Sequence, residues 1–475
     1  MTCGAFRLFP FQVEGARSLE RANGRMAIFD EMGLGKTIQP MAYIHYNTER
    51  TLPIVALVKS GIKYQWSQAF ITWLGDKYFA QVIKSSKEQF IPGLKVYIIS
   101  YDILRRLNTA QLDRLIKVIK PKTLILDECQ LIKNPDSSRT QEVRKLAKEI
   151  PNIIPLSGTP WKNRGSEFFT VLNMLAPSRF WSFEAFKRNW VSYYWDGNKQ
   201  KEGGIRNPDK FKEFISDIAI RRERSQVMPE LPTISRSKLI AELPESAQKA
   251  YDVAEDKLVN EWNDFVISGE EDSMAAHQKL MENLMAMRQI IGLAKVPATV
   301  EFAQEFLEDT DRKLVIFVHH KQCGQLIFDQ LHDYCVENKL PVPLRLTADM
   351  SSEERYDVQL KFNGPNYRLL IASTLASGEG LNLQSCSDCV MHERQFNPAN
   401  EEQAEGRFIR IGQTANAVNA TYVHGNDTCD VILDSLVEKK RIQFHNAMNN
   451  GMMPVWNEGS LVKEIASIIS KNRKK

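Results

Sequence analysis

Short runs of aliphatic and β-branched residues alternate with helix-like segments through the first third of the chain. Each run is apolar throughout, which is typical of strands buried on both faces of a parallel sheet. Helical patterns lie between them, for example over Thr109–Ile119 and Ser138–Ile150. The pattern predicts an α/β lobe with helices on both faces of its sheet. The predicted strands are Met26–Phe29, Ile54–Val58, Val96–Ser100, Thr123–Asp127 and Ile153–Ser157.

A second alternation of the same kind begins near Lys313. It predicts a second α/β lobe of similar size, with helices that include Gln403–Ile411 and Asp430–Asn449. The predicted strands of this lobe are Leu314–Val318, Leu344–Thr347, Leu369–Ser373, Cys389–Glu393 and Val418–His424.

The segment between the two lobes has a different pattern, with few strand signals and long helical stretches over Gln248–Ser268 and Ser273–Ile291. Aromatic residues cluster between Phe180 and Trp195. We expect them to form the core of small helices, because neighbouring acidic residues interrupt the basic groove that a base-stacking surface favours. The expected domains are an N-terminal lobe over 1–176, helical protrusions and a hinge over 177–294, a C-terminal lobe over 295–450, and a C-terminal helix with a basic tail over 451–475.

Composition narrows the class of protein only a little. The 475 residues provide enough chain for two or three domains, and the formal net charge of +4 does not by itself indicate a nucleic acid partner. No apolar run approaches the length of a membrane span, and the start of the chain lacks a signal-peptide core. The seven scattered cysteines fit free thiols in a reducing compartment. We expect Cys386 and Cys389 to be buried beside a strand, since no second pair completes a zinc site.

Candidate chemistry begins at the segment Asp30–Thr37, which reads DEMGLGKT and joins a predicted strand to a helical pattern. That order is typical of a phosphate-binding loop at a helix start. Gly33 and Gly35 permit positive φ, so the backbone N–H groups can approach phosphate oxygens. We expect Lys36 to reach the β- and γ-phosphates and the Thr37 hydroxyl to hold Mg²⁺.

Two residues of this segment depart from the usual pattern. Asp30 stands where the strict phosphate-loop motif has glycine, and Pro40 removes an N–H early in the following helix. A glycine-rich turn without function is therefore the alternative that the motif alone leaves open.

Asp127 and Glu128 follow a predicted strand, so both carboxylates are expected at the sheet edge where α/β proteins bind ligands. We expect Asp127 to hold Mg²⁺ and Glu128 to orient and deprotonate an attacking water. Strand-end acidic pairs also cap helices. Their combination with Lys36 and Thr37 in one lobe indicates nucleotide hydrolysis.

Arg407 and Arg410 follow Gln403 at a spacing that predicts two guanidinium groups on one helix face. Ion pairs with Glu402 or Glu405 are the simple explanation. The functional explanation is an arginine finger, a rigid cation that stabilises phosphate charge during hydrolysis.

Taken in order, these segments resemble the motifs of the Swi/Snf branch of superfamily-two helicases, and the resemblance covers nearly the whole chain. Arg221 and Arg222, followed by Glu230–Pro232, resemble the hinge of that family, and Phe317–Lys321 resembles its annealing-helicase, fork-remodelling subgroup. The other matching segments are Leu8–Gln12 (LFPFQ), Asp30–Thr37, Asp127–Gln130 (DECQ), Leu156–Pro160 (LSGTP), Ser373–Leu383 (STLASGEGLNL) and Gln403–Gln413 (QAEGRFIRIGQ).

The resemblance implies two RecA-like lobes with helical insertions, and ATP and Mg²⁺ as cofactors. It implies that Gln12 reads adenine and that Arg407 and Arg410 are the finger positions. Coupling between the DNA track and the ATP site is implied for Gln130, Ser157, Gly158 and Thr159. Contacts with DNA phosphates, which carry no sequence information, are implied for Lys59, Ser60, Ser100, Tyr101, His319, His320, Lys321, Ser373 and Thr374.

This resemblance makes a DNA-dependent ATPase the leading hypothesis, one that translocates along double-stranded DNA and remodels branched DNA by fork regression or branch migration. Roles in DNA repair, recombination and replication follow from it. The expected partner is double-stranded or branched DNA, with no membrane. We expect a monomer inside the cell, in the cytoplasm or nucleoid of a prokaryotic or viral system or in a eukaryotic nucleus.

The alternatives are a strand-separating DNA or RNA helicase, a remodeller of protein–DNA complexes, and an ATP-gated binding module that does not hydrolyse. The last should have lost Lys36, Glu128 or an arginine finger, and the chain has all of them. Lys59 stands where the family usually has Pro, Gln130 where it usually has His, and Phe408-Ile409 where it usually has Ala-His.

Overall fold

A computed structural model of the chain describes residues 2–3, 6–158, 164–196, 199–271, 273–374, 381–449 and 458–473. The chain divides into two compact units. The first consists mainly of Met1–Leu231, and the second mainly of Pro232–Met350 and Asp357–His445.

Among its described residues, the first unit is built on a seven-stranded sheet with the order β11-β3-β8-β7-β4-β6-β5, in which every pair is parallel. Two short antiparallel pairs, β1–β2 and β9–β10, accompany it. The strands are β1 (Thr2–Cys3), β2 (Phe6–Arg7), β3 (Ala27–Ile28), β4 (Ile54–Val58), β5 (Ala80–Val82), β6 (Val96–Ser100), β7 (Thr123–Asp127), β8 (Asn152–Leu156), β9 (Val191–Asp196), β10 (Lys199–Ile205) and β11 (Ala219–Ile220).

The central strands of this sheet are covered on both faces, which explains their continuous apolar sequence. Along β4, Val55 and Leu57 join one hydrophobic cluster, whereas Ile54, Ala56 and Val58 join another. All five strands predicted in this lobe are present, with small shifts at the ends of β3 and β8.

Helices connect these strands. The predicted helix Thr109–Ile119 is an α-helix only over Thr109–Asp113 and continues as a π-helix over Arg114–Ile119. The other α-helices are Pro10–Arg21, Ile38–Tyr46, Thr48–Thr51, Lys63–Leu74, Tyr101–Arg106, Ser138–Lys148, Phe169–Leu175, Phe183–Trp190, Pro208–Phe214 and Arg224–Val227, and the 3₁₀ helices are Ser60–Ile62, Asp76–Tyr78, Cys129–Ile132 and Gly165–Phe168.

The described part of the second unit holds a six-stranded sheet with the order β12-β17-β16-β13-β15-β14, again parallel throughout. Its strands are β12 (Thr233–Ala241), β13 (Leu314–Val318), β14 (Leu344–Leu346), β15 (Leu369–Ser373), β16 (Asp388–Met391) and β17 (Ala417–Gly425). The α-helices after Pro232 are Glu245–Ser268, Met274–Ala294, Val296–Asp309, Lys321–Glu337, Ser352–Asn363, Pro398–Glu405, Cys429–Asn449 and Glu458–Arg473.

The expectation that residues 177–294 are mostly helical is wrong for three stretches, the β9–β10 hairpin, the short strand β11 and strand β12. Strand β12 lies at the sheet edge and is exposed along most of its length. An edge strand needs no continuous apolar run, so the pattern used to find buried strands did not detect it.

The aromatic cluster divides between two environments. Phe180 and Phe186 are buried in the core of the first unit, as expected, whereas Trp181, Tyr193 and Trp195 are 76%, 40% and 71% exposed. Cys386 and Cys389 are buried and free, next to or within β16. None of the helices among the described residues combines the length and apolar character that a membrane span requires.

Candidate functional site

The predicted phosphate loop connects β3 to the helix Ile38–Tyr46, and Thr37 is the N-cap residue of that helix. Gly33 and Gly35 adopt φ values of +91° and +68°, a region that L side chains rarely occupy. Lys36 Nζ donates to the backbone oxygens of Asp30 at 2.8 Å and Glu31 at 3.1 Å. The ammonium therefore spans the loop, and the two glycines give the backbone the shape that a phosphate site needs.

Asp30, the departure from the strict motif, is fully buried and serves as an anchor. Its Oδ1 accepts from Arg222 N and Nε at 3.1 and 3.0 Å, and its Oδ2 accepts from Arg222 Nη2 at 2.6 Å and Gln39 Nε2 at 2.8 Å. Next to it, Glu31 Oε1 accepts from Arg224 Nε at 2.7 Å. These ion pairs fix the start of the loop to the segment that the sequence indicated as a hinge.

Gln12, the predicted adenine reader, is buried beside the loop. Its Nε2 donates to the Leu34 backbone oxygen at 3.3 Å, and its Oε1 accepts from Phe9 N at 3.2 Å. The structure thus places Gln12 against the phosphate loop.

Asp127 ends β7 at the carboxyl edge of the sheet, as predicted. Trp66 Nε1 donates to its Oδ2 at 2.9 Å, and the Tyr101 hydroxyl donates to its backbone oxygen at 2.7 Å. Desolvation raises the pKa of Asp127 to about 6, and the adjacent Glu128 charge adds to that rise. The Trp66 N–H and the Lys36 ammonium act in the opposite direction.

Glu128 has left-handed backbone dihedrals, φ +50° and ψ +51°. A residue with a side chain seldom adopts this region, and such strain concentrates at functional sites. Gln130 Nε2 donates to Glu128 Oε2 at 2.5 Å, and Ser157 Oγ donates to Gln130 Oε1 at 2.7 Å. Three residues predicted to be catalytic or coupling therefore form one hydrogen-bonded chain.

Gly158 lies next to the phosphate loop. A Cβ atom at this position would lie 2.7 Å from Met32 Cγ and 3.2 Å from Lys36 Nζ. Only glycine permits so close an approach, which couples this segment sterically to the loop. Thr159, the remaining predicted coupling residue, lies outside the described residues.

The donor set at this edge fits a nucleotide bound with Mg²⁺. The Thr37 hydroxyl and the Asp127 carboxylate are hard oxygen donors of the kind that Mg²⁺ prefers. Lys36 and the loop N–H groups suit phosphate oxygens. The space beside Gly158, which a Cβ atom would fill, lies against the Lys36 ammonium.

The predicted DNA contacts of the first unit lie at the same sheet edge, since Val58 of β4 pairs with Ser100 of β6. Ser60 is exposed and Lys59 is partly exposed. Ser100 is buried and its Oγ accepts from Ile103 N at 3.3 Å, which caps a helix. Tyr101 is buried, and its hydroxyl donates to the Asp127 backbone oxygen.

In the second unit, His319, His320 and Lys321 follow β13, and Ser373 and Thr374 follow or end the paired strand β15. Thr374 is buried, and its Oγ1 donates to the Val318 oxygen at 3.2 Å. Lys321 is exposed. The structure therefore brings these residues to one sheet edge within their own unit.

Glu393, a residue that the sequence did not single out, holds the histidine pair. Its Oε2 accepts from His319 N at 2.8 Å and His320 N at 2.9 Å, and its Oε1 contacts His320 Nδ1. Burial lowers the pKa of His319 to about 4, so this side chain is neutral at pH 7. Cys323 Sγ lies within 4.8 Å of a ring nitrogen of His320 and a carboxylate oxygen of Glu393, but burial raises the pKa of Cys323 to about 12 and keeps the thiol protonated.

The prediction that Arg407 and Arg410 share one face of a helix over Gln403–Ile411 is wrong. The helix is Pro398–Glu405, and Arg407 N and Phe408 N donate to the oxygens three residues earlier. Gly406 favours this end because glycine is a poor helix former. Phe408 and Ile409, which follow the end of the helix, are both buried.

The arginines follow a strongly anchored segment. Glu405 is fully buried and accepts from Arg236 Nε at 2.9 Å and Nη2 at 2.6 Å. Glu401, on the same helix, accepts from Arg394 and Arg441. Arg407 is buried to 5% exposure and Arg410 is partly exposed.

Several contacts at the site have no signal in a single sequence. Trp66 lies 61 residues before Asp127, and Arg222 lies 192 residues after Asp30. Neither pair has a local spacing that a motif could reveal. The charge of Arg222 and the unusual Asp30 were visible separately, and only the fold joins them.

Comparisons with known proteins agree with this geometry. The SNF2-related domain model matches residues 14–293, and the Helicase conserved C-terminal domain model matches residues 298–412. The mouse (Mus musculus) protein "DNA annealing helicase and endonuclease ZRANB3" is 26% identical over 446 residues, which are 91% of this chain and 40% of that protein. "SWI/SNF-related matrix-associated actin-dependent regulator of chromatin subfamily A-like protein 1" of Xenopus tropicalis is 28% identical over 444 residues, 91% of this chain and 44% of that protein.

The chain thus spans less than half the length of these relatives. The crystal structure of the Pyrococcus furiosus Hef helicase domain has a TM-score of 0.53 at 14% identity, covering 93% of this chain and 100% of that chain. This likeness confirms the predicted α/β fold with parallel-sheet lobes. The family matches confirm the predicted resemblance.

Proposed function

Because the chain belongs to the SNF2-related domain family, we propose that it hydrolyses ATP to move along double-stranded DNA and thereby remodels branched DNA. The observation that carries this proposal is the chain of hydrogen bonds from Ser157 through Gln130 to Glu128. It joins the proposed catalytic base to the segment that we assign to coupling with DNA.

In this proposal, the first unit binds ATP at the loop Asp30–Thr37. Lys36 and the loop N–H groups bind the phosphates, and Gln12 reads the adenine from its position beside Leu34. Thr37 and Asp127 would hold Mg²⁺, which when bound neutralises charge on the phosphates. Trp66 keeps the Asp127 carboxylate oriented through its Nε1–Oδ2 hydrogen bond.

Glu128 acts as the base that orients the attacking water and takes its proton. The side chain needs a fixed direction for that role, and two features supply it. The left-handed backbone at Glu128 sets the direction in which the side chain leaves the strand end. The Gln130 amide then holds one carboxylate oxygen in place.

Arg407 and Arg410 have the proposed role of stabilising negative charge on the transferred phosphate. This role does not need a helix, because a planar guanidinium acts through its position and its fork of N–H groups. The buried ion pairs of Glu401 and Glu405 immediately before these arginines fix the segment from which they extend.

Phosphate-directed residues at the strand ends of both units are the proposed DNA contacts. Lys59, Ser60 and Lys321 present polar or charged groups at these edges. We also propose contacts by the backbone of Ser100 and Tyr101 and by His319, His320, Ser373 and Thr374. Such contacts bind DNA without regard to sequence and weaken steeply with salt.

Branched DNA is the proposed substrate because the relatives include proteins named DNA annealing helicases. Moving a branch point replaces each broken base pair with a new one, so the net free-energy change is close to zero. A motor that tracks duplex DNA can therefore move a branch with ATP setting the direction. Opening a simple duplex breaks base pairs without forming new ones, so we expect the same motor to do this inefficiently.

Labelled four-way junctions and model forks, compared with a tailed duplex, test this proposal on native gels. We expect ATP-dependent branch migration or fork regression and little opening of the tailed duplex. Efficient opening of the tailed duplex with unchanged junctions would overturn the assignment to branched DNA and favour a strand-separating helicase.

A further inference from the structure

The hairpin formed by β9 and β10 presents aromatic side chains to solvent. Tyr193 and Trp195 are 40% and 71% exposed, and they lie two residues apart on the same face of β9. Trp195 pairs across the hairpin with Gln200, and Tyr193 pairs with Glu202. Exposed large rings on one face of a strand are unusual in a soluble fold and mark interaction sites when they are grouped.

The base of the hairpin is firmly anchored in the first unit. Val191 and Ile205 are buried, and Ser192 Oγ donates to the Gly204 oxygen at 3.1 Å. Against them packs Gly165, where a Cβ atom would lie 2.6 Å from the same oxygen. The exposed rings therefore project from a fixed support, and their exposure does not result from a loosely attached strand.

The spacing of residues 193 and 195 along the strand matches the dimensions of stacked bases. Residues two apart on a strand are separated by about 6.8 Å, which is twice the rise of about 3.4 Å between successive nucleotides in one DNA strand. One unpaired base can thus enter between the rings and stack on both. Stacking on aromatic side chains is the general means by which proteins hold single-stranded nucleic acid.

The positive charge near the hairpin lies in the segments that flank it. Residues 191–205 themselves have two basic and two acidic residues, whereas the wider segment 187–212 has seven basic and three acidic residues. The flanking cations are therefore the groups that would attract a polyanion. One of the acidic residues, Glu202, shares the face of the rings. Its carboxylate accepts from Ser166 Oγ at 2.6 Å and lies 3.7 Å from Lys187 Nζ, which reduces its repulsion of phosphates.

We propose that the outer face of this hairpin, defined by Tyr193, Trp195 and Gln200, binds an unpaired nucleotide at a DNA branch by stacking. The proposal rests on the proposed function and adds to it the part of branched DNA that the chain recognises. A blunt duplex has no unpaired base to offer, so the hairpin discriminates branched from unbranched DNA.

The anchor of the hairpin leads to the nucleotide site. Ser166, which holds Glu202, precedes Glu167, and Glu167 Oε1 accepts from Lys133 Nζ at 2.6 Å in a partly exposed ion pair. Lys133 follows the 3₁₀ helix Cys129–Ile132, whose N-cap residue is Glu128. A nucleobase bound by the hairpin can therefore influence the position of the segment that carries Glu128, the proposed general base.

Fluorescence anisotropy with a forked DNA and a blunt duplex tests the stacking role. The double variant Tyr193→Ala, Trp195→Ala should bind the fork roughly 5- to 150-fold more weakly, the range for loss of one stacked base. Binding to the blunt duplex should stay within about two-fold, the change expected when phosphate contacts are untouched. The variant Tyr193→Phe, Trp195→Phe keeps both rings and should bind the fork like the parent protein.

A matched control is Trp181→Ala, which removes an equally exposed tryptophan outside the hairpin and should not change the fork affinity. Unchanged fork affinity of the double alanine variant, or an equal loss of affinity for the fork and the duplex, would overturn the stacking proposal. Unchanged fork affinity would instead favour a role of the two rings in binding another protein. These outcomes differ from failure of the proposed function, in which the parent protein itself shows no DNA-stimulated ATPase activity.

Discussion

Gln130 Nε2 donates a hydrogen bond of 2.5 Å to Glu128 Oε2, and Ser157 Oγ holds the other end of the Gln130 amide at 2.7 Å. All three side chains lie in the first unit, at the carboxyl edge of its sheet. The amide therefore acts as a spacer that relays the position of Ser157 to Glu128. Where the family usually has histidine, this chain has a neutral donor and acceptor that does not titrate.

The first prediction follows from this relay. Gln130→Ala should lower kcat for ATP hydrolysis roughly 10²-fold, the loss expected when a catalytic group is misplaced by about 1 Å. ATP affinity should change little, because Gln130 does not belong to the phosphate loop. Gln130→His, which restores a donor, should retain more activity. Steady-state ATPase rates and nucleotide affinities should be measured for these variants, with Gln141→Ala, at an exposed glutamine, as the control. Equal ATPase rates for Gln130→Ala and Gln141→Ala would refute the proposal that the Gln130 amide positions Glu128.

A second prediction concerns the arginines after the helix Pro398–Glu405. Arg410→Lys should reduce kcat by a factor on the order of 10³, because a point ammonium does not reproduce the planar fork of a finger. DNA affinity should remain, since the residues proposed to contact the DNA phosphates do not include Arg410. Arg345→Lys, an arginine of the same unit bonded to Gln325, is the matched control and should keep its turnover. Full activity of Arg410→Lys would make the residue an ordinary ion-pair partner.

The buried ion pair at the phosphate loop gives a third prediction. Asp30→Gly restores the strict motif, yet it should lower the free energy of unfolding of the first unit by about 3–5 kcal/mol. The reason is that Arg222, 11% exposed, would keep a buried charge without its carboxylate partner. Urea unfolding measures the change. Asp113→Asn breaks the exposed pair with Lys117 and should cost under about 0.5 kcal/mol; equal costs would contradict the anchoring role of Asp30.

The pH dependence of stability supplies a fourth prediction. His392 is fully buried, with Nδ1 2.8 Å from Thr299 Oγ1 and Nε2 2.9 Å from the Gly292 oxygen. Burial lowers its pKa to about 4. The unfolded chain therefore binds a proton first as the pH falls below about 6.5, and the folded state follows only near pH 4.

This difference should lower the free energy of unfolding by about 2 kcal/mol between pH 7 and pH 5 for this one group. The second unit should thus be less stable at pH 5, and His392→Gln should flatten that dependence. His332→Gln, at a partly exposed histidine, is the control and should leave the slope unchanged. The free energy of unfolding should be measured by urea titration at each pH for the parent protein, His392→Gln and His332→Gln. An identical dependence on pH in all three would show that His392 does not cause the loss of stability at pH 5.

The sequence predicted those parts of the fold that local chemistry determines. Strands β4 and β7 were identified because burial on both faces demands an uninterrupted apolar run. Gly33 and Gly35 were identified because positive φ is a property of the single residue. Asp127 and Glu128 were found because they follow such a strand directly.

The parts that escaped prediction depend on distant neighbours. Strand β12 and the β9–β10 hairpin lack a continuous apolar run, since each has an exposed face. The helix predicted over Gln403–Ile411 ends at Glu405, and the carboxylate of that residue pairs with Arg236, 169 positions earlier in the chain. Contacts such as Trp66 with Asp127 join residues far apart in the chain, and no spacing in one sequence records them.

The most direct test of the central claim is the ATPase rate measured side by side with no nucleic acid, single-stranded DNA, blunt duplex, forked DNA and RNA. Glu128→Gln, which should bind ATP but hydrolyse it orders of magnitude more slowly, sets the background. A DNA translocase of the kind proposed should be stimulated more by duplex and forked DNA than by single-stranded DNA or RNA. Equal stimulation by RNA, or no stimulation by duplex DNA, would contradict the account.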